Sequence, residues 1–240
     1  MGRAFEYRKA RKMKRWAGMA KAFTKVTREI NIAIKEGGAD PEYNPRLRLA
    51  IANAKAVNMP KANVDAAIKR ATDKDSADYD EVSFEGYGPH GIAVFVDATT
   101  DNNNRTVANI RHIFSKYGGN LGVNGSVDYM FERKGQFRIK EDKLKGDLEE
   151  IELELIDAGL ESIEREEDDV VFYTAFEDFG SFQNELEARN IDVDNAELVR
   201  IPSHTKTLTD SQAEAVIKLI DMLEEDDDVA NVFHTMDETE

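Results

Sequence analysis

The chain has 240 residues, 41% of them hydrophobic, which is enough for one large core or two or three smaller ones. It contains no cysteine, excluding disulfides, thiolate metal sites and cysteine nucleophiles, and no apolar run approaches the roughly 18 residues of a membrane-spanning helix. The net charge of −16 is divided unevenly: residues 1–78 carry 18 Lys and Arg against 9 Asp and Glu, whereas residues 79–240 carry 14 against 39. A basic segment on an acidic body is attracted to a polyanion at one end and repelled at the other.

The start, MGRAFEYRKARKMKRW, lacks the apolar centre of a secretory signal. It is rich in Arg and Lys like a mitochondrial transit peptide, but it has no serine and runs unbroken into a patterned helix, so it reads as part of the fold of a cytoplasmic protein. From Lys14 to Lys35, at about 100° per residue, Met19, Phe23, Val26, Ile30 and Ile34 share an arc of roughly 80°, and Lys14, Lys21, Lys25, Arg28 and Lys35 share the opposite one. One face is expected in a core, the other to form a basic stripe. EGGADPEYNPR breaks this helix, and Asn44-Pro45 is expected to cap the next, which carries Leu47, Ile51, Ala54 and Val57. After NMPK, Pro60 opens a third helix with Val64, Ile68 and Ala71 inward. Two helices joined by a short turn have the outline of a helix-turn-helix, a weak signal because any bundle contains such pairs.

TDKDSADYDE reads as a linker, and the pattern then changes to strands. Strands are expected at 82–85 and 92–98 around the turn EGYGPHG, then a helix from about 104 to 117, the glycine loop GGNLGVNGS and a strand at 127–132. From Gln136 the order is strand, helix (147–158), strand (160–164), strand (170–175), helix (178–189) and strand (196–201), the βαββαβ order of a ferredoxin-like unit. A helix (210–224) and a strand (229–234) remain. A completed ferredoxin-like unit has no place for them, so they are expected to return to the sheet of residues 80–132. The predicted architecture is multidomain, α and α+β: a basic helical domain (1–77), an α+β domain (78–134 plus 204–240), and a ferredoxin-like domain (135–203) inserted in the second.

Catalytic chemistry is sparse. The glycine loop leads from helix to strand and lacks Gly-Lys-Ser/Thr, whereas a phosphate loop leads from strand into a helix N-terminus; a helix stop followed by a tight bend is the reading. His90, His112, His204 and His234 have no metal-ligand spacing, and the acidic runs EREEDD (164–169) and EEDDD (224–228) lack the glycine and alternation of a calcium loop and read as solvated turns. No cofactor, metal site, small-molecule substrate or enzymatic activity is expected. By contrast, residues 1–28 hold ten Lys and Arg against the single Glu6, too one-sided for an ordinary solvated face. Arg8, Lys9, Arg11, Lys12, Lys14, Arg15, Lys21, Lys25, Arg28 and Lys35 are therefore the expected nucleic-acid contacts, with Phe5, Tyr7 and Trp16 available for stacking. In TTDNNNRTVANIR (99–111), one of Asn102, Asn103 and Asn104 is expected to cap the following helix, and the three amides with Arg105 are a candidate contact for phosphate or a partner.

The segments GGADPEYNPRLRLAIANAKAVNMPK (37–61), FEGYGPHGIAVFVDATTDNNNRT (84–106) and YGGNLGVNGSVDYMFERKG (117–135) closely resemble the YebC family, which includes the mitochondrial translational activator of cytochrome oxidase. The resemblance spans nearly the whole chain and implies the three-domain architecture read from the patterning. It also implies a non-enzymatic regulator of gene expression that binds DNA, or alternatively a factor that contacts ribosomal RNA on stalled ribosomes. The family usually opens with a Gly-His-Ser-Lys-Trp-like segment where this chain has GRAFEYRKARKMKRW, so roles carried by that histidine or serine do not transfer.

Overall fold

A computed structural model describes residues 19–73, 78–144, 146–166 and 168–237. Among the described residues its contacts cluster into two units, one within 19–28, 78–132 and 202–237, the other within 29–73 and 133–201. The helical residues ahead of the first strand are thus shared between both units, the boundary falling between Arg28 and Glu29 within helix α1 (Met19–Gly37).

The first unit is built on strands β1 (Asp80–Tyr87), β2 (Ala93–Thr100) and β3 (Asn120–Leu121), with helix α4 (Asn103–Lys116), and is completed by helix α7 (Asp210–Glu225) and strand β8 (Val229–His234). The sheet order is β3-β1-β2-β8. β8 lies antiparallel to β2, with Phe95 opposite Phe233 and Val96 opposite Val232, so the C-terminal helix and strand do return to the sheet that begins at residue 80. Strand β2 is covered on both faces: Val94, Val96 and Ala98 pack with Ile110, Phe114, Val216, Ile220 and Leu223, and Ala93 and Phe95 pack with Val127 and Phe131. Two-sided burial explains its near-continuous apolar sequence.

The second unit contains helices α2 (Pro45–Ala56) and α3 (Lys61–Thr72), strand β4 (Phe131–Lys140) from Arg133 onward, α5 (Leu148–Ile156), β5 (Leu160–Glu166), β6 (Asp169–Ala175), α6 (Phe179–Ala188) and β7 (Asn195–Pro202). Its sheet order, β5-β6-β4-β7, is that of a ferredoxin-like βαββαβ unit. Phe137 stacks on Phe179 with ring centroids 4.8 Å apart and touches Phe182, and Leu49 of α2 packs against the same core.

A separate strand at 127–132 does not form. Residues Asp128–Met130 make a 3-10 turn, and one strand runs from Phe131 through Lys140 without a break at Gly135. Gly135 is a packing glycine: a β-carbon there would sit 2.5 Å from Thr174 Oγ1 and 2.6 Å from the Phe179 ring.

Asn44 caps α2 as expected, its Oδ1 accepting the Leu47 N–H at 3.0 Å, and its buried amide also donates to the carbonyls of Ala33 at 2.6 Å and Gly38 at 2.8 Å. One side chain therefore serves both the end of α1 and the start of α2. Asn44→Ala is expected to destabilise the fold by about 2 kcal/mol, more than an ordinary exposed cap, as measured by urea unfolding.

On α2, Asn53 pairs with the edge strand β7, accepting from Ala196 N at 3.3 Å and donating to Ala196 O at 3.0 Å. Arg48 reaches Asn184 and Glu187 of α6. The first helix of the helix-turn-helix outline is therefore occupied in packing against the ferredoxin-like sheet and α6.

Candidate functional site

The basic helix, the TTDNNNRT loop and the acidic run EEDDD, separated by up to 203 positions in the chain, meet in the first unit. Arg28 Nη1 donates to the carbonyls of Thr99 at 2.6 Å and Asp227 at 2.8 Å and forms an ion pair with Asp228 Oδ1 at 3.1 Å. Arg105 grips the same carboxylate from the other side, with Nη2 at 2.8 Å and 3.0 Å from its two oxygens, and pairs with Asp101 at 2.7 Å. The Thr106 hydroxyl donates to Asp228 Oδ2 at 2.7 Å, and Thr100 Oγ1 lies 3.3 Å from that oxygen. Asp228 itself is only 4% exposed. A buried carboxylate is tolerated when cations and donors surround it, as here.

Burial alone would raise the pKa of Asp228. The hydrogen bonds from Arg105 and Thr106 and the charges of Arg105 and Arg28 outweigh it, holding the group below the ordinary aspartate value. The folded state thus binds this proton more weakly than the unfolded chain. Its stabilisation is complete above the unfolded aspartate pKa and is lost as pH falls through the lower folded value. Urea midpoints are therefore expected to change little from this group between neutrality and about pH 5 and to fall below about pH 4, with a smaller fall in Asp228→Asn.

Two further stripe residues, Lys21 and Lys25, also find acceptors within the first unit. Lys21 donates to the carbonyl of Glu224, and Lys25 Nζ donates to that of Ala230 at 2.6 Å. Burial pushes the Lys21 amine below its usual value against the pull of Asp227, Asp226, Glu225 and Glu224. On the opposite face Val26, Ile30 and Ile34 are buried as the periodicity predicts. Over 21–28 the helix is therefore covered on two sides, and its cations meet the acidic end of α7 and the start of β8. Lys35 is exposed in the last turn. Arg8, Lys9, Arg11, Lys12, Lys14 and Arg15, with Phe5, Tyr7 and Trp16, lie outside the described residues.

In the asparagine loop the roles separate. Asn102 is the cap, its Oδ1 accepting the Arg105 N–H at 3.1 Å, while Asn103 and Asn104 stand exposed in the first turn of α4. The guanidinium of Arg105 is held by two carboxylates, which strengthens its hold on its proton and neutralises the cationic tip.

The glycine loop is organised by a residue that the sequence does not single out. Glu85, 5% exposed on β1, accepts N–H bonds from Gly125 at 2.6 Å, Val127 at 2.7 Å and Asp128 at 2.9 Å. The loop does cradle an anion, and the anion is the protein's own carboxylate. Its helix stop is real: Gly118 has φ +78°, and a β-carbon on Gly119 would lie 2.7 Å from Tyr87 O. Val123 and Tyr129 remain exposed on the loop that Glu85 holds.

Neither Asp228 nor Glu85 carries a local sequence signal. Asp228 sits last in a run of similar acids and reads with them as a solvated turn; burial beside Arg28, Arg105 and Thr106 distinguishes it.

A family model described as "TACO1/YebC protein N-terminal domain" matches residues 3–74, and one described as "TACO1/YebC second and third domain" matches residues 79–236. The chain belongs to the TACO1/YebC family. Curated relatives named "Probable transcriptional regulatory protein" include one from Flavobacterium psychrophilum, 56% identical over 99% of this chain and 100% of its own length. Another, from Cytophaga hutchinsonii, is 56% identical over the full length of both chains. The crystal structure of a conserved hypothetical protein from Aquifex aeolicus is similar, with a TM-score of 0.79 and 40% identity over 91% of this chain and 90% of that one. Family membership thus agrees with the resemblance carried by the three motifs. No helix among the described residues of this TACO1/YebC member is long and apolar enough to cross a membrane.

Proposed function

We propose that this TACO1/YebC protein is a non-enzymatic, nucleic-acid-binding regulator of gene expression whose basic N-terminal segment grips the phosphate backbone of DNA. The observation that carries this reading is the charge division, ten Lys and Arg against one Glu in residues 1–28 followed by a strongly acidic remainder. The names of the curated relatives support the regulatory role. Phosphate contact is assigned first to Arg8, Lys9, Arg11, Lys12, Lys14 and Arg15, because Lys21, Lys25 and Arg28 have partners inside the protein. Asn103 and Asn104 remain as exposed amides for a partner, with Asn102 spent on the cap and Arg105 on Asp228 and Asp101.

A second reading, binding to ribosomal RNA as a translation factor, rests on the same charge division, because phosphate contact is common to duplex DNA and folded RNA. Titration onto duplex DNA and co-sedimentation with ribosomes at matched salt separate the two. Changing Arg8, Lys9, Arg11 and Lys12 together to Gln is expected to weaken DNA binding at least about tenfold and to make its salt dependence shallower by about 3 to 4 in log–log slope. Unchanged affinity would reject the basic segment as the binding element. Saturable ribosome binding beside sequence-blind DNA binding would favour the second reading.

A further inference from the structure

Helix α1 continues the basic segment, yet its cations at 21 and 25 are half-buried against the protein's own acceptors. Lys21 reaches the carbonyl of Glu224 at the end of α7, and Lys25 reaches that of Ala230 in β8. Four carboxylates, Glu224, Glu225, Asp226 and Asp227, attract Lys21. Arg28, one turn further on, is fixed to Asp228 and the carbonyls of Thr99 and Asp227. The acidic turn offers what a phosphate backbone offers: clustered negative charge with oxygen acceptors. The strengths of the two kinds of contact differ along the helix. Arg28 closes on a buried carboxylate that is also held by Arg105 and Thr106, whereas Lys21 and Lys25 are half-buried donors to backbone carbonyls and the acidic turn attracts Lys21 at longer range, an attraction that solvent and salt weaken.

We propose that the acidic turn Glu224–Asp227 is an intramolecular competitor of nucleic-acid phosphate for Lys21 and Lys25, a latch that restrains binding until the first turns of α1 are released. The inference rests on the nucleic-acid reading above and adds its regulation. Arg28 on Asp228 is the hinge of the latch, retained in both states; Lys21 and Lys25 are the exchangeable contacts. A polyanion that engages the residues before Lys21 places phosphates beside these two ammonium groups and displaces the weaker internal partners.

The test uses the full chain with Glu224→Gln, Glu225→Gln, Asp226→Asn and Asp227→Asn combined. The amides keep acceptor oxygens, including the one on residue 226 that receives the Asp228 N–H, so the turn is expected to persist. A control carries Glu149→Gln, Glu150→Gln, Glu152→Gln and Asp157→Asn, which removes the same charge from exposed positions in and just after α5. Binding to a short mixed-sequence DNA duplex is followed by fluorescence anisotropy across a salt series, and unfolding by urea confirms that all proteins are folded. The latch variant is expected to bind at least about tenfold tighter than the parent, with a log–log salt slope steeper by about 2, one phosphate for each freed lysine, and the control to gain far less. Adding Lys21→Gln and Lys25→Gln is expected to abolish the gain in the latch variant while changing the parent little. Equal gains in latch variant and control would overturn the latch and leave the nucleic-acid reading standing. Absence of binding in every protein would overturn that reading, and the latch with it. Should the four-fold variant unfold, the single change Asp227→Asn, read by the same slope, carries the test in the same direction.

Discussion

Replacing Asp228 by alanine is expected to lower the unfolding free energy by about 3 to 5 kcal/mol, the range for removing one partner of a buried charge network. The reason lies in what the substitution leaves behind. Arg28 loses a carboxylate at a place where its side chain is 13% exposed, the Thr106 hydroxyl loses its acceptor at 2.7 Å, and the Arg105 fork loses a bidentate partner. These groups come from α1, α4 and the loop before it, so the damage spreads across three segments that Asp228 joins. Asp228→Asn retains the shape and part of the hydrogen bonding and should fall between alanine and the parent. Arg105→Ala should cost less, since its side chain is 46% exposed and water can replace part of what is lost. Urea denaturation of the four proteins gives this ranking, and a loss below about 1 kcal/mol for Asp228→Ala would mean the network is no stronger than a surface pair.

Glu85→Ala is expected to cost about 3 kcal/mol, because it orphans three backbone donors that now share one charged acceptor. The effect should be local as well as global. Gly125, Val127 and Asp128 lie in the segment that leads into Phe131, whose ring packs edge-on to Phe95 with centroids 6.1 Å apart. Amide exchange at residues 125–128 should therefore accelerate well beyond the change in global stability, and Glu85→Gln, which keeps an acceptor, should restore part of the protection. Uniform acceleration across the first unit would show that Glu85 supports the whole sheet and not the loop.

The two carboxylates have contrasting surroundings. Three N–H dipoles of a turning chain hold Glu85, whereas two guanidinium groups hold Asp228. Both convert a segment with functional appearance into a fixed part of the fold. The glycine loop has the composition of a phosphate cradle, and Glu85 already occupies its donors. The asparagine loop has a cation at a helix N-terminus, and Asp228 with Asp101 already balances it. What these loops still present outward includes Asn103, Asn104, Val123, Asn124 and Tyr129.

Much of the fold is legible in the chain because it depends on local rules. The 3.6-residue repeat in α1 marks Val26, Ile30 and Ile34 as core, Asn44-Pro45 marks a helix start, and the βαββαβ order leaves a helix and strand over that must pair elsewhere. The strand expected at 127–132 fails for the opposite reason: the chain turns at 128–130 and then runs as one strand through Gly135, whose presence is decided by packing against Thr174 and Phe179. The charge division and the family motifs are likewise properties of the sequence alone. The fate of each charge is not, since Coulomb attraction and burial depend on which segments tertiary structure brings together. Lys21, Lys25 and Arg28 are indistinguishable from a solvated or nucleic-acid-binding stripe until α7 and β8 are placed against them, and Asp228 is one acid among five until the fold buries it beside Arg28 and Arg105. Periodicity determines which face of a helix is apolar; only the assembled sheet determines whether the other face meets water.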